Sequence, residues 1–528
     1  MDGPDLNVLN VVLSATPILV LIAAILALKW SAPRAGAVAW LVVVALALLH
    51  FGANAELLAI GSSKGLSLSL FVLSIIWTAV LLYNVIDQMG GIEVIGTTMT
   101  RLVRDPLAQA LVVGWAFSGF MQGVAGFGVP VAVVAPLMVL MGFRPAQAAA
   151  VVLVGHAWAV TFGSLGSSYY TIQLVTGIEG DVIGPHMAVM FALPIVTTGF
   201  AVAHLQGGMA SVRRGAPIIL VMGAAMAASV WVVAMIGAPQ IAAIASGLVG
   251  CAVGWAVART WLLPGRKPSE SIKDTGGSSQ PRIGFHLAFL PYYLLILLSI
   301  ASQVPAIKEI GANWLWGLDY PATVTDLGFE VDAQDNYAKI RLLRHPAPLI
   351  LASLLLSYII YRFTGSWRRG VAVAASRRTY DQCVSTSVGV ATMVMMALLM
   401  TDTGMTELLG RTIADGTGVF FPVFSPYIGV LGTFMTGSNT NSNVMFGALQ
   451  LETAKALDIG QVTVASTQSI GGSLGSSIAP AKVLVGTTIV GLSGRVNEVM
   501  RRTIAYCLII VLLVGIQAWI LTNLFNAK

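Results

Sequence analysis

The sequence predicts an all-α polytopic membrane protein built from two inverted-topology repeats, each with a re-entrant hairpin and a broken helix. The count is about 12 spans plus two hairpins, at roughly 20 residues per crossing. Three observations lead there. The chain is 56% hydrophobic and 10% charged over 528 residues, whereas soluble globular chains are about a quarter charged. Apolar runs long enough for a hydrocarbon core of roughly 30 Å recur from end to end. Short motifs also return in order at a nearly constant offset: "EVIG" at Glu93 and "ELLG" at Glu407, "FMQG" at Phe120 and "FMTG" at Phe434, "GSLGSS" at Gly163 and again at Gly472. Asp87 and Asp402 end spans just upstream at a matching interval. Inverted repeats meeting at interrupted helices are a transporter signature.

In chain order, the first run, Leu9 to Leu28, follows the acidic "MDGPDLN". A secretory signal would carry a positive n-region, so this run is read as a retained span. Spans are expected near residues 7–28, 36–59, 67–89, 187–207, 216–236, 238–261, 284–303, 346–363, 384–409 and 503–525. Regions 106–182 and 421–494 are long, apolar and interrupted by glycine and serine. Basic residues orient the chain. With the N-terminus outside, Lys29, Arg34, Arg101, Arg104, Arg144, Arg213, Arg214, Arg266, Lys267, Lys273, Arg282, Arg362, Arg368, Arg369, Arg377, Arg378, Arg495, Arg501 and Arg502 fall inside, and the acid-bearing segment 304–345 falls outside. Both termini are then extracytoplasmic. The assignment holds only if 106–144 and 421–460 dip in and return, while 145–182 and 461–494 cross as broken helices. The organisation expected is a first repeat over 1–210, two connecting spans over 211–262, a Ser/Gly/Pro-rich cytoplasmic linker over 263–283, and a second repeat over 284–528.

Composition also excludes. The net charge of +6 is accounted for by orientation in the bilayer, so no nucleic-acid partner is read. Cys251, Cys383 and Cys507 are scattered among apolar runs, which suggests neither metal nor disulfide. No paired acidic dyad, His-Glu metal motif or Ser-His pair at useful spacing is present. The reading is therefore not an enzyme and calls for no cofactor. A channel would need a polar stripe along several spans, whereas polarity here gathers at two tips and two breaks.

The second tip is "MTGSNTNSNVMFG", where Ser438, Asn439, Thr440, Asn441, Ser442 and Asn443 are polar and uncharged between apolar flanks. Irregular backbone at membrane depth must be buried in protein or line water. These six residues can satisfy it, or present hydroxyls and amides to a ligand. The first tip, "GVAGFGVP", offers Gly126, Phe127 and Gly128, where a ligand can approach backbone N–H groups. Half-helix N-termini nearby favour an anion. The breaks add Ser167, Ser168 and Tyr169 in one copy and Ser476 and Ser477 in the other. Pro480 suits a first helical position, which puts Lys482 in the first turn. A lysine at a span's centre costs about 2.5–3.5 kcal/mol. A substrate carboxylate would offset that, as would a structural ion pair or a water-filled vestibule. Its repeat-mate is Gln173, so this half of the site is not symmetric. His156, Asp87 and Asp402 are candidates for ion coupling; the bland alternatives are a hydrogen-bonded buried histidine and capped span ends.

The stretches "GVAGFGVPVAVVAPLMVLMGFRPAQAAAV" and "TGSNTNSNVMFGALQ" resemble the lactate permease family of bacterial transporters. The resemblance covers nearly the whole chain. It implies inner-membrane uptake of L-lactate, D-lactate or glycolate with a proton. More remotely, the paired hairpins look like the ion transporter superfamily, whose dicarboxylate members bind sodium at Ser-Asn-Thr tips and are often dimers. A homodimer is thus left open, as is Na+ in place of H+ as the coupling ion. Two positions depart from the family pattern: Asn439 stands where an aspartate is expected, and Lys482 where a small neutral residue is expected. Both make the site more positive, which leaves room for a dicarboxylate or a sulfonated acid, or for a lysine that replaces part of the coupling-ion charge.

Overall fold

The computed structural model describes residues 4–101, 103, 105–126, 128–259 and 283–524. Phe127, Arg104 and the linker up to residue 282 lie outside the described residues. In order, the helices are α1 (Val8–Leu26), α2 (Ala32–Leu49), α3 (Ala55–Gln88), α4 (Gly91–Thr100), α5 (Pro106–Gln109), α6 (Ser118–Val124), α7 (Val129–Leu140), α8 (Pro145–Gly155), α9 (Ser167–Thr176), α10 (Gly180–Met235) and α11 (Ala242–Ala258). After the linker come α12 (Phe285–Ala301), α13 (Pro305–Ile310), strands β1 (Leu315–Tyr320), β2 (Thr323–Val324), β3 (Glu330–Val331) and β4 (Gln334–Arg341), and α14 (Pro346–Phe363). The chain closes with α15 (Val371–Asp402), α16 (Met405–Thr417), α17 (Phe421–Thr436), α18 (Asn439–Ala456), α19 (Gln461–Gly475), α20 (Pro480–Ile489) and α21 (Val496–Asn523). Among the described residues, 11 helices are long and apolar enough to cross a membrane, or up to 12 if the bent pair at α12 counts as one span.

Several boundaries differ from the sequence reading, each for a local reason. The expected span 36–59 straddles a turn, because Gly52 takes a left-handed φ of +66° and Asn54 caps the next helix by accepting from the Leu57 N–H at 2.8 Å. The third helix therefore runs from Ala55 rather than from residue 67. The spans expected at 187–207 and 216–236 are the two helical halves of α10, separated where Gly207 and Gly208 leave helical geometry, and the first starts at Gly180 rather than at residue 187. The span expected at 384–409 is divided by Gly404 (φ +78°), with α15 before it and α16 after it. The turns at Gly52 and Gly404 are only a few residues long, and capping and left-handed φ rather than hydropathy set their positions.

Burial separates the helices into two classes. In the spans Pro106–Val124 and Pro145–Thr176 the whole apolar window is buried, against 28% for α1 and α2 and 33% for α21. Both segments are thus wrapped in protein. The first is helical throughout, with a π-helical stretch at Ala110–Phe117 joining α5 to α6. The second is broken between α8 and α9, where irregular backbone must be buried. By contrast, α1, α2 and α21 turn leucine and valine outward.

The most extensive helix contact is between α3 and α15. Lys64 near the start of α3 meets Asp402 at the end of α15 (3.5 Å), and Asp87 at the end of α3 meets Arg378 near the start of α15 (2.6 Å). The two helices are therefore antiparallel, with one cation and one carboxylate exchanged at each end. Packing around them is reciprocal too: α2 lies on α15 and α14 on α3, while α1 lies on α16 and α12 on α4.

The segment 304–345 is not helical throughout. It carries α13 and two antiparallel strand pairs, β1 with β4 and β2 with β3. This cap is tied to the start of α3 by the Tyr320 hydroxyl, 2.9 Å from Ser63 Oγ and 2.7 Å from Ser67 Oγ.

Candidate functional site

The turn between α17 and α18 is shorter than the six polar residues suggest. Gly437 (φ +72°) closes α17, and Ser438 caps α18, its hydroxyl accepting from the Asn441 N–H. Only Gly437 and Ser438 lie in the turn. Asn439, Thr440, Asn441, Ser442 and Asn443 form the first turn and a half of α18 and are all buried. Polar side chains therefore crowd a helix N-terminus whose first N–H groups lack intrahelical partners.

These residues bind both to α19 and to the "GSLGSS" region of the first half of the chain. Asn439 Nδ2 donates to Thr161 Oγ1 (3.0 Å) and to the Ser469 carbonyl (3.2 Å). Asn443 Nδ2 donates to the Ser168 carbonyl (2.9 Å) and to Ser469 Oγ (3.0 Å). The hydroxyls of Ser168 and Thr440 share a hydrogen bond of 3.0 Å, so the first turns of α9 and α18 touch. Ser442 faces the other way, donating to the Gly429 carbonyl at 2.8 Å. The free atoms here are acceptors: among the described residues the Oδ1 atoms of Asn439, Asn441 and Asn443 are buried without a hydrogen-bond partner.

The first break is longer than "GSLGSS". His156 ends α8, and the chain passes through two single 3-10 turns, Ala157–Ala159 and Ser164–Gly166, before Ser167 begins α9. Leu165 and Ser164 take left-handed φ values of +55° and +47°, conformations held there by the surrounding packing. His156 is fully buried; its Nδ1 lies 2.6 Å from the Val152 carbonyl, and its Nε2 has no partner. Gly126 sits so close to Ser164 that a Cβ would collide with its hydroxyl. Ser167 and Ser168 are buried in the first turn of α9. Tyr169 is a wall residue: its hydroxyl donates to the Gly180 carbonyl (2.9 Å) and its ring stacks on Phe162.

At the second break α19 stops at Gly475 and α20 starts at Pro480, so Lys482 stands in the first turn of α20. A Cβ on Gly128 would lie 3.6 Å from Val485, and one on Gly437 would lie 3.5 Å from the Ala481 Cβ. The start of α20 is therefore placed between the two hairpin tips. Lys482 is 6% exposed and makes no ion pair among the described residues. It lies within electrostatic reach of His156. Ser477 Oγ donates to the Leu474 carbonyl (2.7 Å), whereas Ser476 Oγ is buried and unpartnered.

Asp87 and Asp402 do not join this cluster. Each is held in an ion pair at the α3–α15 contact. Thr161, Ser469 and Ser473 do join it, although the sequence reading passed over them. Thr161 donates to the Ser469 carbonyl (2.9 Å), and Ser473 donates to the Ala157 carbonyl (2.6 Å). The signal for Ser469 and Ser473 is the run "STQSIGGSLGSS", as polar for an apolar region as the stretch at residues 438–443; Thr161 lies outside it.

The L-lactate permease family model matches residues 10–525. The chain is 25% identical to glycolate permease GlcA of Escherichia coli (strain K12) over 98% of this chain and 97% of that one. It is 26% identical to the L-lactate permease of Salmonella typhimurium over 97% of each, and 27% identical to that of Bacillus subtilis over 92% of this chain and 91% of that one. Among solved structures, MtrF of Neisseria gonorrhoeae aligns over 85% of this chain and 80% of its own at 14% identity and a TM-score of 0.46, a likeness too loose to define the fold. The match across nearly the full length makes this chain, a multi-pass membrane transport protein rather than an enzyme, a member of the L-lactate permease family.

Proposed function

We propose that the protein is a secondary active transporter that takes up small 2-hydroxy monocarboxylates, L-lactate or glycolate, across a bacterial inner membrane by proton symport with alternating access. The observation that carries the reading is Lys482: a buried cation without an ion-pair partner among the described residues, seated where two hairpin tips and a broken helix meet. A helix N-terminus does nothing to stabilise a lysine, since both are positive. A substrate carboxylate would satisfy the two together. The Ser168 and Thr440 hydroxyls, already within hydrogen-bond distance of each other, suit a 2-hydroxyl group. His156 Nε2, buried and unpartnered, is our choice of proton carrier, because Asp87 and Asp402 are engaged elsewhere. Binding at the tips would neutralise the charge and let the hairpins move as one unit between the two faces. The inverted relation of the repeats is supported by the antiparallel α3–α15 contact and its exchanged ion pairs.

A second reading is favoured by the unpartnered Oδ1 atoms of Asn439, Asn441 and Asn443. Oxygen acceptors suit a cation, so sodium coupling, or partial replacement of the coupling ion by Lys482, is the alternative. It would go with a dicarboxylate or a sulfonated organic anion. Proteoliposomes loaded to give an inward proton gradient or an inward sodium gradient separate these readings. Labelled L-lactate or glycolate is expected to accumulate above the passive level with the proton gradient. Accumulation with sodium alone would select the second reading, and none with either gradient would remove symport.

A further inference from the structure

The cap holds a cavity of about 360 Å³ lined by Lys308, Lys339, Arg341 and Arg344, with Asp335 as its one carboxylate. None of these five side chains makes an ion pair among the described residues. We propose that this cavity is a second, weaker binding site for small organic carboxylates, which captures the solute at the mouth of the transporter. The proposal rests on the reading of this chain as a carboxylate transporter whose cap faces outward.

Local geometry gathers the cations. Lys339 and Arg341 are two apart on β4, so they share one side of the strand. The pairing of β1 with β4 shifts register on either side of Leu318, and Asn336 and Ala338 take left-handed φ values of +49° and +48°. Such bulges re-aim side chains and are concentrated beside binding sites. The Asn336 N–H is held by Asp319 Oδ1 at 2.7 Å, which fixes the distorted strand. Lys308 arrives from α13, and Arg344 from the turn that leads into α14. Burial, and then the neighbouring Arg341 cation, pull the Arg344 pKa down, the mark of a crowded positive site that an anion would relieve.

The cavity also points somewhere. Arg344 is within electrostatic reach of Tyr170, which stands on α9 two residues beyond Ser168. The Tyr170 ring packs on Phe71 of α3, and its hydroxyl donates to Gln240 at 2.9 Å. A positive concavity raises the local concentration of an anion and its rate of encounter. Here it does so one short helical segment away from the Ser168–Thr440 contact.

The test uses the full chain in nanodiscs of neutral phosphatidylcholine, titrated with labelled L-lactate and with glycolate at low and at high ionic strength. Wild type is expected to show a tight class and a weaker class abolished by salt. Lys339→Gln/Arg341→Gln should lose the weaker class and keep the tight one. In proteoliposomes at low salt, its kcat/KM should fall by roughly 3- to 10-fold, carried by KM, and the gap should close at high salt. Should the double variant fold poorly, Lys339→Gln alone, at an exposed position, should show a partial loss in the same direction. Equal stoichiometry in wild type and variant would overturn the proposal. So would a difference seen only in discs containing anionic lipid, which would assign the cavity to lipid headgroups. Failure of the transport reading would show separately, as a wild type without the tight class and without uptake.

Discussion

At Lys482 two effects oppose the charged side chain together: the low dielectric around it and the positive end of α20. Charge-assisted hydrogen bonds are worth about 1.5–3 kcal/mol, so losing one contact to a carboxylate should weaken binding by roughly 10- to 100-fold. Lys482→Ala is expected to show that loss in equilibrium binding of labelled L-lactate or glycolate. Lys455→Ala, which removes only an exposed partner of Glu452 at 2.8 Å, should stay close to wild type, as surface pairs contribute little. Equal losses in the two variants would deny Lys482 a ligand role. The position of this lysine was legible in the sequence because Pro480 marks a helix start and "GSLGSS" marks the break before it. Thr161 was not legible, since one hydroxyl among apolar residues looks like any satisfied threonine until the chain folds against it.

Among the elements, the hairpin of α17 and α18 depends on close approach to α19. A Cβ on Gly471 would be driven into the Pro426 carbonyl of α17, and backbone cannot swing aside as a flexible side chain can. Gly471→Ala should therefore destabilise the protein by about 1–3 kcal/mol, read as a lowered thermal transition in detergent. Gly416→Ala, in open space on exposed α16, should be neutral or slightly stabilising. No loss in Gly471→Ala would mean that this hairpin does not pack as described. The existence of the spans and interruptions was readable from hydropathy and from glycine. Their ends were not. The turns at Gly52 to Asn54 and at Gly404 are set by capping and by left-handed φ, which a hydropathy count does not read. The strands of the cap were missed for a related reason: a short polar segment outside the spans carries no strong period.

For the whole molecule, the spacing of the short motifs has a counterpart in the α3–α15 contact. Lys64 and Arg378 stand 314 positions apart, as do the two Phe-Met motifs at Phe120 and Phe434. Each of these cations meets the carboxylate that ends the other copy's helix. One pair is buried and lies under the cap, while the other is half-exposed, so the two ends of the α3–α15 contact differ. A fold of this kind brings the first turns of α9, α18 and α20 together from different parts of the chain. Whether an anion sits among them can be read at Ser438, half-buried in the turn before α18, against a low background because the three native cysteines are buried. Maleimide labelling of Ser438→Cys in the full chain should slow several-fold when L-lactate or glycolate saturates the protein, and the protection should vanish when Lys482→Ala is added. Labelling at one unchanged rate with and without either acid would contradict a carboxylate site at the tips.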